Sequence, residues 1–156
     1  MTDDQIVEAA LAILDRRSKQ RAQPIGATGD AVRKIALELN DERVEHLVCI
    51  WLDGSNRVIA SQRMGQGGID VMSFVTRELA RAAVINDAAY AVLVHNHPHG
   101  DSTPSDQDKE ASARIQHFLA TVGVCLIGSF AVGGTTATCC LTGRVFDLAQ
   151  PVTQSI

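Results

Sequence analysis

Apolar residues follow two rhythms along this chain. From Asp3 to Ser18 they return every third or fourth position, with Ile6, Ala10, Ile13 and Leu14 on one stripe, the spacing of an amphipathic helix. Thr2 with Gln5 three residues later supplies a capping-box start for it. "RAQPIGATG", Arg21 to Gly29, is rich in turn formers and reads as a linker. A second helix is expected from Asp30 to Leu39, with Val32, Ile35, Ala36 and Leu39 on one face.

The rhythm then shortens. "EHLVCIWLD", Glu45 to Asp53, is apolar on both faces and predicts a central strand. "GSN" turns the chain and "RVIASQRM" returns it, a hairpin. After "GQGG", the run "DVMSFVTRELARAAVIN" predicts a helix with Val71, Val75, Leu79 and Ala82 in line. "AAYAVLV" predicts a short buried strand, Pro104 to Val122 a helix, and "VCLIGSFAV", "GG" and "TTATCCL" a last hairpin. The order α-α-β-β-α-β-α-β-β indicates an α/β or α+β fold around one mixed sheet. The expected division is a helical appendage over residues 1–40, a domain over 41–145 and a tail over 146–156.

Composition narrows this picture. A length of 156 residues suits one domain with its own core, and 46% hydrophobic but only 4% aromatic residues make that core aliphatic. Apolar runs stop short of the ~18–20 residues a membrane span needs. The acidic N-terminus lacks a basic n-region and a cleavage site, so a cytoplasmic location is the default expectation. A net charge of −4 argues against a protein built to sit on nucleic acid phosphates. The basic cluster Arg16, Arg17, Lys19 and Arg21 is either a solvated helix end suited to the helix dipole or a contact for DNA or an acidic partner. Cys49, Cys125, Cys139 and Cys140 show no C-x-x-C spacing and are expected to be buried, reduced thiols.

The candidate chemistry lies in "AVLVHNHPHGDSTPSDQD", Ala91 to Asp108. His95 and His97 alternate at period two, so in extended chain they project to one side, as metal ligands or as ordinary loop histidines. Thr103 resembles an N-cap, with Pro104 at the first helical position. On the helix that follows, Ala111, Ile115, Phe118 and Val122 form the core stripe, and steps of three back from Ala111 reach Asp108 and then Ser105. An inward carboxylate needs a partner. That partner is either a cation held by the histidines or the backbone, since Ser105-x-x-Asp108 also has the form of a capping box. Two histidines and a carboxylate would leave one position of a tetrahedral ion open, the pattern of catalytic zinc with an activated water. Glu45, heading the central strand, is either the general base for that water or an exposed strand end. Ser105 could help hold a developing oxyanion.

Glu45, then His95-x-His97, seven residues, Ser105, two residues and Asp108 together resemble the JAMM signature of JAB/MPN metalloproteases. The wording "HNHPHGDSTPSDQD" is most similar to the RadC branch, whose usual form is H-N-H-P-S-G-x-x-x-P-S-x-x-D. "LDGSNRVI", "NDAAYAVLVHNHP" and "FAVGG" extend the resemblance over roughly Glu45 to Leu141, and the N-terminal helices resemble short members that lack a helix-hairpin-helix domain. The resemblance implies an MPN-like, cytidine-deaminase-like sandwich, with Zn2+ on His95, His97 and Asp108, Glu45 as base and Ser105 at the oxyanion. It further implies cleavage of peptide or isopeptide bonds, often at ubiquitin-like proteins. The branch's DNA-repair name suggests a rival that binds or cuts DNA through Arg16, Arg17, Lys19 and Arg21, and a non-catalytic MPN-type interaction module is a third reading. The chain departs from the family wording at Val75-Thr76 (usually His-Pro), at Gly128-Ser129 (usually Asp-His) and at His99 (usually Ser). His99 is either a solvent-exposed loop residue or an additional ligand or substrate contact.

Overall fold

The structure, a computed structural model, describes residues 1–20, 24–66 and 72–149. Helices α1 (Asp3–Gln20) and α2 (Pro24–Leu39) are followed by strands β1 (His46–Leu52) and β2 (Val58–Gln66). Helix α3 (Met72–Ile85), strand β3 (Tyr90–Asn96) and helix α4 (Asp106–Thr121) come next, then β4 (Cys125–Gly133), β5 (Thr136–Cys139) and β6 (Val145–Asp147). The strands form one mixed sheet in the order β2-β1-β3-β4-β5-β6. β3 and β4 are parallel, with α4 as their crossover, and the other neighbours are antiparallel.

β1 lies between β2 and β3, and all seven of its residues are buried, as its two apolar faces require. Leu47, Cys49 and Trp51 face α3 and α4, packing with Val75, Leu79, Ile115 and Leu119. Val48, Ile50 and Leu52 face the other way, onto Val32, Ile35 and Leu39 of α2. The result is a sheet covered by helices on both faces. In the β1–β2 hairpin, Asn56 takes a positive φ of 60°, and the Asp53 carboxylate accepts from the Ser55 and Arg57 amides.

Several boundaries differ from expectation. α2 begins at Pro24, so the Gly- and Pro-rich residues 24–29 are helical. Proline suits the first turn of a helix, and the next stretch of α2 is anchored by Ala31 and Val32 in the core. Grouped by sequence with an appendage, α2 buries its apolar face against the sheet. The α1 stripe is only partly used: Leu14 is buried, while Ile6 and Ile13 are exposed. The Thr2–Gln5 capping box forms as read. The chain after Gly143 adds β6, paired with β5. All four cysteines are free, but Cys125 is exposed rather than buried. Among the described residues no helix is long and apolar enough to cross a membrane.

Candidate metal centre

The pairing of β1 with β3 brings the site together. Leu47 is opposite His95, so these residues share a face, and period two puts Glu45 and His97 on that same face one step further along. This is the face covered by α4. His95 and His97 are both buried, and the His97 amide extends the β3–β4 ladder by donating to Val132 O at 2.8 Å.

Beyond His97 the chain bends sharply back. Gly100 takes a φ of 89° and its amide donates to His97 O at 3.0 Å. The bend places Asp101 O 2.7 Å from Nδ1 of His97. A carbonyl only accepts, so Nδ1 carries a proton, and in the neutral tautomer this leaves the lone pair of Nε2 free for a metal ion. Ser102 pins the far side of the bend through hydroxyl contacts to Thr136 at 2.6 Å and Thr138 at 2.9 Å. Gly133 lets this loop approach: a Cβ there would meet Asp101 C at 2.8 Å and Gly100 C and Ser102 N at 2.9 Å.

Helix α4 starts two positions later than expected. Its N-cap is Ser105, not Thr103, because Ser105 and Asp108 form a reciprocal capping box. Ser105 Oγ accepts from the Asp108 amide at 3.0 Å, and Asp108 Oδ2 accepts from the Ser105 amide at 2.8 Å. The capping alternative and the inward carboxylate are both realised, for Asp108 Oδ2 also lies 3.2 Å from His97 Nε2 and 3.4 Å from His95 Nε2. Burial pushes the Asp108 carboxyl up, but bonding and charge from His95, with the Ser105 contacts, outweigh it and hold the group well below the usual carboxylate range.

The two Nε2 atoms are 3.1 Å apart. Three donor atoms therefore form a triangle with sides of 3.1 to 3.4 Å. Ligands about 2.0–2.1 Å from a tetrahedral ion lie roughly 3.3 Å from one another, so the triangle fits such an ion without rearrangement. Glu45 stands outside it: Oε1 is 3.7 Å from His97 Nε2, and the side chain is 33% exposed. One donor atom from each of Glu45, His95, His97 and Asp108 lies within 4.8 Å of the others, a group that could hold a metal ion. His95 Nδ1 is buried without a hydrogen-bond partner among the described residues, so only the His97 ring is braced from behind.

His99 stacks on His97 at a centroid distance of 5.2 Å but is exposed and lies outside this group. Of the basic cluster, Arg16 is exposed; the side chains of Arg17 and Lys19, and Arg21 entirely, lie outside the described residues. Val75 is a core residue, and a Cβ at Gly128 would meet the Phe130 ring at 2.5 Å. Ser129 is buried with its hydroxyl 2.8 Å from that of Ser112. Sequence reasoning missed Asn96, Ser102 and Gly133. Asn96 carried a signal: on a buried strand, period two sets its amide on the same apolar face as Val92 and Val94.

A family model described as "RadC-like JAB domain" matches residues 25–144. A "UPF0758 protein" of Streptococcus thermophilus is 31% identical over 131 residues, 84% of this chain and 57% of that protein. One from Thioalkalivibrio sulfidiphilus is 34% identical over 116 residues, 74% of this chain and 52% of its own length. The chain thus spans about half the length of these curated relatives. The "UPF0758 protein YfjY" of Escherichia coli is nearer in size: 30% identity over 134 residues covers 86% of this chain and 84% of that one.

Proposed function

Because this chain belongs to the RadC-like JAB domain family, and because two histidines and an aspartate turn their donor atoms onto one point, we propose that it is a zinc-dependent hydrolase of peptide or isopeptide bonds. The observation that carries this reading is the triangle of His95 Nε2, His97 Nε2 and Asp108 Oδ2, with sides of 3.1 to 3.4 Å. Two imidazoles and one carboxylate suit zinc, whereas magnesium and calcium prefer all-oxygen shells. When bound, the ion would acidify a coordinated water and polarise a carbonyl oxygen.

The chain's own groups have separate tasks. His97 is held in the ligating tautomer by Asp101 O. Asp108 is kept ionised and oriented by the Ser105 amide and its histidine neighbours. Glu45, adjacent to the triangle and partly exposed, takes up a proton from the nucleophile at its carboxylate and can exchange it with solvent. Ser105 Oγ accepts from the Asp108 amide, which leaves its own O–H to donate to an oxyanion.

Metal analysis and a panel of peptide- and isopeptide-linked substrates test the proposal together. Near-stoichiometric zinc in the wild type should be lost in His97→Ala, while Glu45→Gln should keep the metal and lose hydrolysis. Zinc that persists in His97→Ala, or undiminished hydrolysis by Glu45→Gln, would overturn it.

A further inference from the structure

We propose that Asn96, between the two histidines, is the positioning residue for Glu45. Its side chain points to the opposite face of the sheet from theirs, into the α2 side, and is buried at 4% exposure. There its Oδ1 accepts from the His46 amide at 2.7 Å, and its Nδ2 donates to Val44 O at 3.1 Å. These two backbone groups belong to the peptide units on either side of Glu45. One amide side chain therefore grips both peptide bonds of the residue whose carboxylate faces His97 at 3.7 Å.

The location gives the bridge its purpose. Glu45 precedes β1, and the β1–β3 pairing ends at Leu47 opposite His95. Past that point the Asn96 side chain continues the work of the ladder, with one acceptor and one donor. The histidines leave β3 on one face and Asn96 on the other, so a three-residue segment sets two ligands and the backbone that carries the base. A shorter or apolar side chain at 96 would leave the His46 amide and the Val44 carbonyl without these partners. Glu45 would then be free to turn away, while His95, His97 and Asp108 kept their places.

The role in catalysis rests on the hydrolase reading; the bridge itself does not, and the two are tested separately. In the metal-free full chain, hydrogen exchange at the His46 amide should speed up about tenfold or more in Asn96→Ala. Asn96→Asp keeps an acceptor at Oδ1, so His46 should stay protected there; this arm decides the matter if the alanine variant does not fold. Unchanged exchange in Asn96→Ala, or lost protection in Asn96→Asp, would overturn the bridge. In the cobalt-loaded chain, the pH midpoint of the visible spectrum should move in Glu45→Ala. It should move the same way in Asn96→Ala, and the double variant should add nothing to Glu45→Ala. Additive shifts, or a wild-type midpoint in Asn96→Ala, would overturn the positioning role. Failure of the wild type to bind cobalt at all would refute the hydrolase reading, while the exchange measurements still decide the bridge.

Discussion

Gly133→Ala offers the sharpest check on how the candidate metal centre is built, although the residue is not one of the proposed ligands. A Cβ at this position would lie 2.8 Å from Asp101 C and 2.9 Å from Gly100 C and Ser102 N. All three are backbone atoms of the loop that follows His97, so no flexible side chain can swing aside. Ordinary contact begins at 3.4 Å, so the loop must retreat by about half an ångström. That loop carries Asp101 O, the group behind the His97 ring, and Ser102, its anchor to β5. Metal–ligand distances tolerate only about ±0.2 Å, so a shift of this size should be felt at Nε2 of His97. Zinc affinity should fall about 10–100-fold, the usual consequence of disturbing a ligand's supporting bond. The fold itself should lose ~1–3 kcal/mol, a drop in Tm of the order of 2–12 °C. Chelator competition and calorimetry of the metal-free chain would measure the two effects. Gly54→Ala, where nothing lies within 4 Å, is the matched control and should alter neither. Wild-type affinity and Tm in Gly133→Ala would refute the steric reasoning. A lowered Tm with unchanged affinity would show that the strain does not reach His97.

Two further outcomes follow from the ionisable groups. Because the Asp108 carboxyl is held below its unfolded value, its charge stabilises the fold above about pH 4, and that stability is lost as pH falls from there toward the depressed folded value. Acid unfolding of the metal-free chain, followed by Trp51 fluorescence, should therefore be less steep in Asp108→Asn; an identical acid limb would contradict this. Burial pushes Cys49 well up and Cys140 up to about 11, whereas Cys125 is exposed. A thiol reagent at neutral pH should modify Cys125 promptly and the other three only in denaturant; rapid labelling of more than one thiol would refute the buried placement.

Much of this architecture was legible because the hydrophobic pattern was nearly unbroken where it mattered. The apolar runs of β1 and β3 announced buried strands, and period two put His95 and His97 on one side. Helical spacing correctly sent Asp108 inward. Harder to read were places where a local rule had a tertiary rival. Pro24 and the glycines after it signal a linker, yet the chain packs α2 onto the sheet and the helix extends back to Pro24. Thr103-Pro104 has the form of a helix start, but the reciprocal Ser105–Asp108 bonds win because each satisfies an otherwise open amide. The α1 stripe satisfied the helical period, yet Ile6 and Ile13 stay exposed. Ser102 and Gly133 were invisible because their roles depend on a loop meeting a hairpin from a distant part of the chain.

The double engagement of Asp108 has a consequence for how such a site could decay. Its Oδ2 caps the first turn of α4 as well as facing the histidines, so the residue retains a structural duty even in a chain that no longer holds metal. Mutation at 108 would then be opposed by folding alone, whatever became of the chemistry. His95 has no such second employment, since its Nδ1 meets no hydrogen-bond partner among the described residues. In a related chain that no longer held a metal ion, the aspartate would outlast His95. The first histidine is therefore the residue to inspect when asking whether a related chain still works.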